Sequence, residues 1–119
     1  MLATHGTWGN RCVTFEWDGG IATVLFLEPN QRCSYHLHKT TWNQFFVIQG
    51  KLGVTTDKGY TTVLGPRQVF TVEPGIEHEF LTYDEPTIVE EIAFVKYNPG
   101  DIDRRRLGGP VNGKPYQAG

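Results

Sequence analysis

The chain has 119 residues, a formal charge of −2 with both signs scattered along it, and 39% apolar residues. That length makes one domain, able to bury roughly two-thirds of its unfolded surface without covalent staples. The near-balanced charge argues against nucleic acid or an anionic membrane as the main partner, and no apolar run approaches the ~20 residues needed to cross a bilayer. Cys12 and Cys33 are the only two cysteines, a usage that fits a reducing compartment. The N-terminus lacks a basic segment followed by an apolar run, so no secretory leader is expected. A soluble, cytoplasmic protein acting on a small molecule is the expectation.

Through the first hundred residues or so, glycine and proline fall at intervals between apolar runs, as in an all-β sandwich or barrel. Turns are read at Asp18-Gly19-Gly20, Glu28-Pro29-Asn30, Asp57-Lys58-Gly59, Leu64-Gly65-Pro66 and Asn98-Pro99-Gly100. Between them the spacing predicts strands over 12–17, 21–27, 32–38, 43–49, 51–56, 60–64, 68–73, 77–83 and 87–97. No stretch sustains a helical period. Two predicted strands are apolar on both faces: Ile21, Leu25 and Leu27 against Ala22, Val24 and Phe26, then Phe45 and Val47 against Phe46 and Ile48. Such a strand lies between two sheets or has its outer face covered, by a second subunit or by another part of the chain. Residues 100–119 carry too little apolar content for a strand and are predicted to be a surface-lying or partly disordered tail of the single domain 1–119.

Three of the four histidines are concentrated in two places, His36-Leu37-His38 and, after a Pro-Gly turn, His78. In a strand, side chains two residues apart share a face and stand about 7 Å apart at ~3.3 Å rise per residue. A pair of imidazoles on one face, met by a third from another strand, is a natural way to hold a divalent metal with open positions. His36-x-His38, Asn43 and Gly50, followed by Pro74-Gly75-x-x-His78, resemble the two-part motif of the cupin superfamily. In that motif a glutamate stands at the place of Asn43 and a further proline at the place of Glu73. The resemblance spans about residues 8–104 and implies a cupin-type β-barrel, a double-stranded β-helix or jelly roll. It implies a metal site of His36, His38 and His78 with Asn43 as fourth donor, and it favours a homodimer paired through an outer sheet. Parity agrees on Asn43, since an inward Asn43 carries Phe45 and Val47 with it and leaves Gln44 outside. An amide oxygen is a neutral, weaker donor than a carboxylate, and such a site suits Zn, Fe(II), Mn, Ni or Co alike.

Glu90 and Glu91 interrupt an apolar strand, and alternation turns one of them inward. A carboxylate inside a small barrel is costly unless it serves a metal, a cation or a substrate. Trp8-Gly9, the histidine strand, the glutamate-bearing strand and Asp101-Ile102-Asp103-Arg104 are similar in layout to the cupin domain of type II mannose-6-phosphate isomerases. That resemblance implies aldose–ketose isomerisation of a phosphorylated sugar, with the metal polarising the C1 and C2 oxygens. Glu90 or Glu91 would move the proton and Arg104 would hold the phosphate. The arginine that accompanies the ligand glutamate in that family has no counterpart, Thr41 and Trp42 standing there. An all-histidine centre equally resembles the Fe(II) cupin dioxygenases. A non-catalytic sugar-binding module is the third reading, distinguished by lacking an inward base near a substrate proton.

Overall fold

Alternating apolar and polar residues, punctuated by glycine and proline, build nine strands and no helix among the residues described by the computed structural model, which are 3–6, 8–33, 35–57 and 59–95. They are β1 (Ala3–Gly6), β2 (Gly9–Trp17), β3 (Gly20–Leu27), β4 (Trp42–Gln49), β5 (Leu52–Thr56), β6 (Thr61–Leu64), β7 (Val69–Val72), β8 (His78–Thr82) and β9 (Thr87–Phe94). The predicted tail and Arg104 lie outside the described residues. A six-stranded sheet in the order β1-β2-β3-β9-β4-β7 faces a three-stranded sheet in the order β6-β5-β8, every pair antiparallel. Because β9 inserts between β3 and β4, the last strand closes onto the first half of the chain, the double-stranded β-helix arrangement. No helix of the described residues is long and apolar enough to cross a membrane.

The inward set of each strand forms one core. Thr23, Leu25 and Leu27 on β3, Asn43, Phe45 and Val47 on β4, and Thr87 and Val89 on β9 are all buried, facing Leu52, Val54 and Phe80 of the small sheet. Phe45 and Phe80 join the two layers, ring centroids 5.6 Å apart and edge to face. Burying an aromatic or aliphatic side chain of this kind contributes about 1.5–3 kcal/mol. The core runs up to the histidines: Phe45 meets the His78 ring edge to face at 6.3 Å.

The chain crosses between sheets after β4 at Gly50, where φ is +89°. A Cβ there would lie 2.5 Å from Thr87 Oγ1 and 2.6 Å from the Pro86 carbonyl oxygen. Thr87, itself buried, pins this corner by accepting the Lys51 amide and donating to the Lys51 carbonyl. Gly50→Ala combines a left-handed backbone with a clash against main chain, so a loss of about 2–3 kcal/mol is expected from urea denaturation. A loss below about 0.5 kcal/mol would show that the corner yields.

The structure departs from the sequence reading in two places. Residues 3–6 form an edge strand, β1, paired to β2, where none is predicted. The predicted strand over 32–38 is instead an extended run joined to β8 by two isolated bridges, Arg32↔Leu81 and His36↔His78. Five residues from Arg32 to His36 oppose four from Leu81 to His78, the signature of a bulge. The extra residue resets the alternation, so that Cys33 and His36, three apart, both reach the interior.

The two-faced strands lie in the six-stranded sheet with one face on the core. Their outer residues form two apolar pairs, Val69 opposite Phe46 between β7 and β4 and Phe26 opposite Ile88 between β3 and β9, with the outward Glu90 standing beside Phe46. Phe26, Ile48 and Val69 each remain 45–48% exposed.

Candidate metal centre and its cavity

Two elements deliver the histidines. His36 and His38 come from the bulged run, where His36 exchanges both backbone hydrogen bonds with His78, at 3.0 and 2.8 Å. His78 opens β8 after Glu73-Pro74-Gly75-Ile76, a turn with proline second, glycine third at φ +82°, and a 3.4 Å bond from the Ile76 amide to the Glu73 carbonyl. This is the form of a type II turn, in which the third position demands a positive φ. The Gly75 amide also donates to the His38 carbonyl at 2.7 Å, tying the turn to the end of the histidine run.

The three rings converge. Centroids lie 5.0 Å apart for His36 and His38, 4.6 Å for His36 and His78, and 5.7 Å for His38 and His78. One nitrogen from each can be chosen so that all three lie within 4.8 Å of one another. Around an ion with bonds of about 2.1 Å, neighbouring donors stand roughly 3.0–3.5 Å apart, so small ring rotations complete the site. His78 Nδ1 lies 3.0 Å from the Ile76 carbonyl, which can only accept, so that nitrogen carries the proton. Its Nε2 is left with a lone pair, buried and without a hydrogen-bond partner among the described residues. A backbone acceptor that orients a ligand imidazole is the usual outer shell of a metal-binding histidine.

Asn43 shows the same signature. It is 3% exposed, its Nδ2 donates to Glu91 Oε2 at 3.2 Å, and its Oδ1 is buried with no partner among the described residues. Orphaned buried acceptors are costly in an apolar interior, and a cation held by the three imidazoles would satisfy His78 Nε2. The residues present therefore fit a divalent metal, held by His36, His38 and His78, with the Asn43 oxygen beside them.

Burial lowers the pKa values of His38 and His78 from 6.5, and the neighbouring imidazoles lower them further, although the Ile76 carbonyl partly opposes this at His78. Both rings are therefore neutral, the ligand form, throughout the range above pH 6.5. Protons compete for their nitrogens only below that value. Metal occupancy after dialysis is expected to be constant from about pH 8 to 6.5 and to fall at lower pH; a fall beginning near pH 8 would mean that these rings are not the ligands.

A cavity of about 310 Å³ opens above the histidines. His36, His38, Asn43, Glu91 and Arg11 supply its polar lining, with Trp8, Leu25, Cys33 and Phe80 among its walls. Burial pushes the Glu91 carboxyl above its usual range, while the Asn43 amide, His36 and Arg11 hold it back. Burial also pushes the Cys33 thiol from 9.0 up to about 11, against the Phe80 amide that donates to its sulfur at 3.3 Å. At pH 8 its thiolate fraction is then about a hundredfold below that of an open thiol. Alkylation of Cys33 by iodoacetamide in a Cys12→Ser background is expected to be slower than that of free cysteine by about that factor; equal rates would contradict its burial.

Of the two glutamates in β9, Glu91 faces inward, opposite buried Thr23 and Phe45, and Glu90 faces outward, opposite Val24 and Phe46. The structure thus brings together His36, His38, His78, Asn43 and Glu91, and leaves Glu90 on the other side of the sheet. Sequence reasoning passes over Arg11 and Cys33. Arg11 was findable as the one charged residue in the inward set Gly9, Arg11 and Val13, but a bulge after Val13 scrambles the alternation along β2. Cys33 reaches the cavity only through the bulge before His36.

A family model described as a cupin domain matches residues 23–101. No curated protein matches the chain. Among solved structures, the chain is similar to KdgF from Halomonas sp., at 16% identity and a TM-score of 0.67, over 75% of this chain and 80% of that one. It is also similar to a protein with a double-stranded β-helix domain from Klebsiella pneumoniae, at 23% identity and a TM-score of 0.66, over 71% of this chain and 75% of that one. An RmlC-like cupin from Shewanella frigidimarina aligns at 18% identity and a TM-score of 0.65, over 73% of this chain and 76% of that one. At these identities the likeness is one of fold, on which many chemistries are built.

Proposed function

Because the chain belongs to the cupin domain family, we propose that it is a metal-dependent isomerase that interconverts the aldose and ketose forms of a small phosphorylated sugar. The observation that carries this reading is Glu91, a largely buried carboxyl whose pKa is raised, in the same cavity as the convergent imidazoles. A divalent cation held by His36, His38 and His78 supplies Lewis acidity toward the carbonyl and adjacent hydroxyl oxygens of a bound sugar. Glu91 takes the proton from C2 of the aldose, exchanges it with solvent and delivers a proton to C1, while the hydroxyl proton passes from O2 to O1. The carboxyl therefore ends in the state in which it began. Asn43 holds the Glu91 oxygen in place by its amide hydrogen bond. A volume of about 310 Å³ is at the small end of ligand pockets, suited to a hexose phosphate rather than a longer chain.

The test is to load the protein with zinc or manganese and incubate it with mannose 6-phosphate in deuterated water, following the sugar by NMR. Deuterium at C1 and C2 with formation of fructose 6-phosphate is expected. No exchange with either metal overturns the isomerase reading. Oxygen uptake by the iron-loaded protein would favour the dioxygenase, and saturable sugar binding without turnover would favour the binding module.

We further propose that a second copy of the chain covers the outer face of the six-stranded sheet, where Phe26, Ile48 and Val69 are exposed and Phe15 and Trp17, rings 5.3 Å apart, add apolar area. Sedimentation should give a dimer at micromolar concentration, and Phe26→Glu should give a monomer. A monomeric wild type would discard the assembly.

A further inference from the structure

Arg11 is the one described guanidinium that lines the metal cavity. It stands opposite buried Leu25 in the β2–β3 register, which turns its side chain to the inner face. It remains exposed at the mouth, and among the described residues it makes no hydrogen bond or ion pair. Its charge acts on the Glu91 carboxylate, so it stands on the same side of the cavity as the proposed base without being consumed by it. Arginine in this position offers a planar fork of donors that matches the paired oxygens of a phosphate or carboxylate. The remaining polar lining cannot take that role: Glu91 repels an anion, the imidazole nitrogens are taken up by the metal, and the Asn43 amide is committed to Glu91.

We propose that Arg11 receives the anionic group of the substrate and sets the preference of this site for anionic over neutral sugars. The proposal rests on the reading of the cavity as a sugar site, and it assigns the selectivity to a residue inside the described barrel rather than to the basic tail. Phosphate and carboxylate share the required chemistry, and the experiment separates them.

Binding of mannose 6-phosphate, mannuronate and mannose to the zinc-loaded protein is measured by calorimetry, for wild type, Arg11→Gln and Arg11→Lys. Wild type is expected to bind at least one of the two anionic sugars about 10- to 100-fold more tightly than mannose, the worth of a charge-assisted contact. Arg11→Gln should remove that ratio without changing mannose binding, and Arg11→Lys, which keeps the charge but loses the fork, should fall between. The tighter of the two anions identifies the group recognised. An anion-to-neutral ratio unchanged in Arg11→Gln overturns the proposal, as does no saturable binding of either anion by wild type up to about 10 mM. Arg11-dependent anion selectivity without isomerisation would leave this inference standing and remove the isomerase reading. Isomerisation with a ratio indifferent to Arg11 would do the reverse.

Discussion

His38→Ala is expected to lose the metal and keep the barrel. The ring belongs to no strand, is only half-buried, and its backbone carbonyl, which holds the Gly75 amide, survives the substitution. What disappears is one of three nitrogen donors. Altering an outer-shell partner of a metal ligand already weakens affinity about 10- to 100-fold, so removal of a ligand itself should exceed the upper end of that range. Elemental analysis after dialysis should show near-stoichiometric metal in wild type and less than about a tenth of that in the variant. Heat unfolding supplies the second reading. Saturating metal at a thousand times its dissociation constant stabilises the native state by about 4 kcal/mol, and that increment should be present in wild type and absent in His38→Ala. Full occupancy in the variant would mean that the ion sits elsewhere. His78→Ala is the poorer probe, because that ring is 1% exposed and its removal leaves a core cavity and an unpaired Ile76 carbonyl.

Glu91→Gln should separate the proton-moving group from the metal site. Glutamine has nearly the same volume and keeps an oxygen to accept the Asn43 amide, so the imidazole cluster and its metal content should be unchanged. Isomerase turnover should fall by about 10²- to 10⁴-fold, the usual contribution of a positioned acid or base. The substitution also has a signed effect on stability. A carboxyl whose pKa is raised in the folded protein holds its proton where the unfolded chain has released it. Its contribution is therefore fully present below about pH 4.5 and is lost as pH rises through the folded value. Relative to wild type, Glu91→Gln should be more stable at pH 7.5 than at pH 4.5, as measured by denaturation midpoints at the two values. Unchanged turnover would remove Glu91 from the reaction, and a difference of the opposite sign would mean that the carboxylate is stabilised by its surroundings.

The placement of Asn43 shows how far alternation alone can be carried. β4 runs from Trp42 to Gln49 with its bulge only after Val47, so counting by twos from Asn43 correctly places Phe45 and Val47 inside. In β2 and in the run before His36, the same counting fails within a few residues. A bulge adds a residue that contributes to neither face, and nothing in the local composition marks it. The edge strand β1 was illegible for a related reason, since an edge needs only one partner and carries no two-sided apolar pattern.

What the chain's own order of residues determines is the cadence of short strands and turns, and the three imidazoles placed either side of a Pro-Gly turn. These are local properties: strand period, turn stereochemistry and ligand chemistry act over a few residues and can be read one after another. The choice of Glu91 over Glu90, the arrival of Arg11 at the same cavity, and the orphaned oxygen of Asn43 were decided only by tertiary structure. Each depends on which strand lies beside which and in what register, with β9 placed between β3 and β4. A one-residue slip there would turn Glu91 outward and Glu90 inward, because the strand period is two.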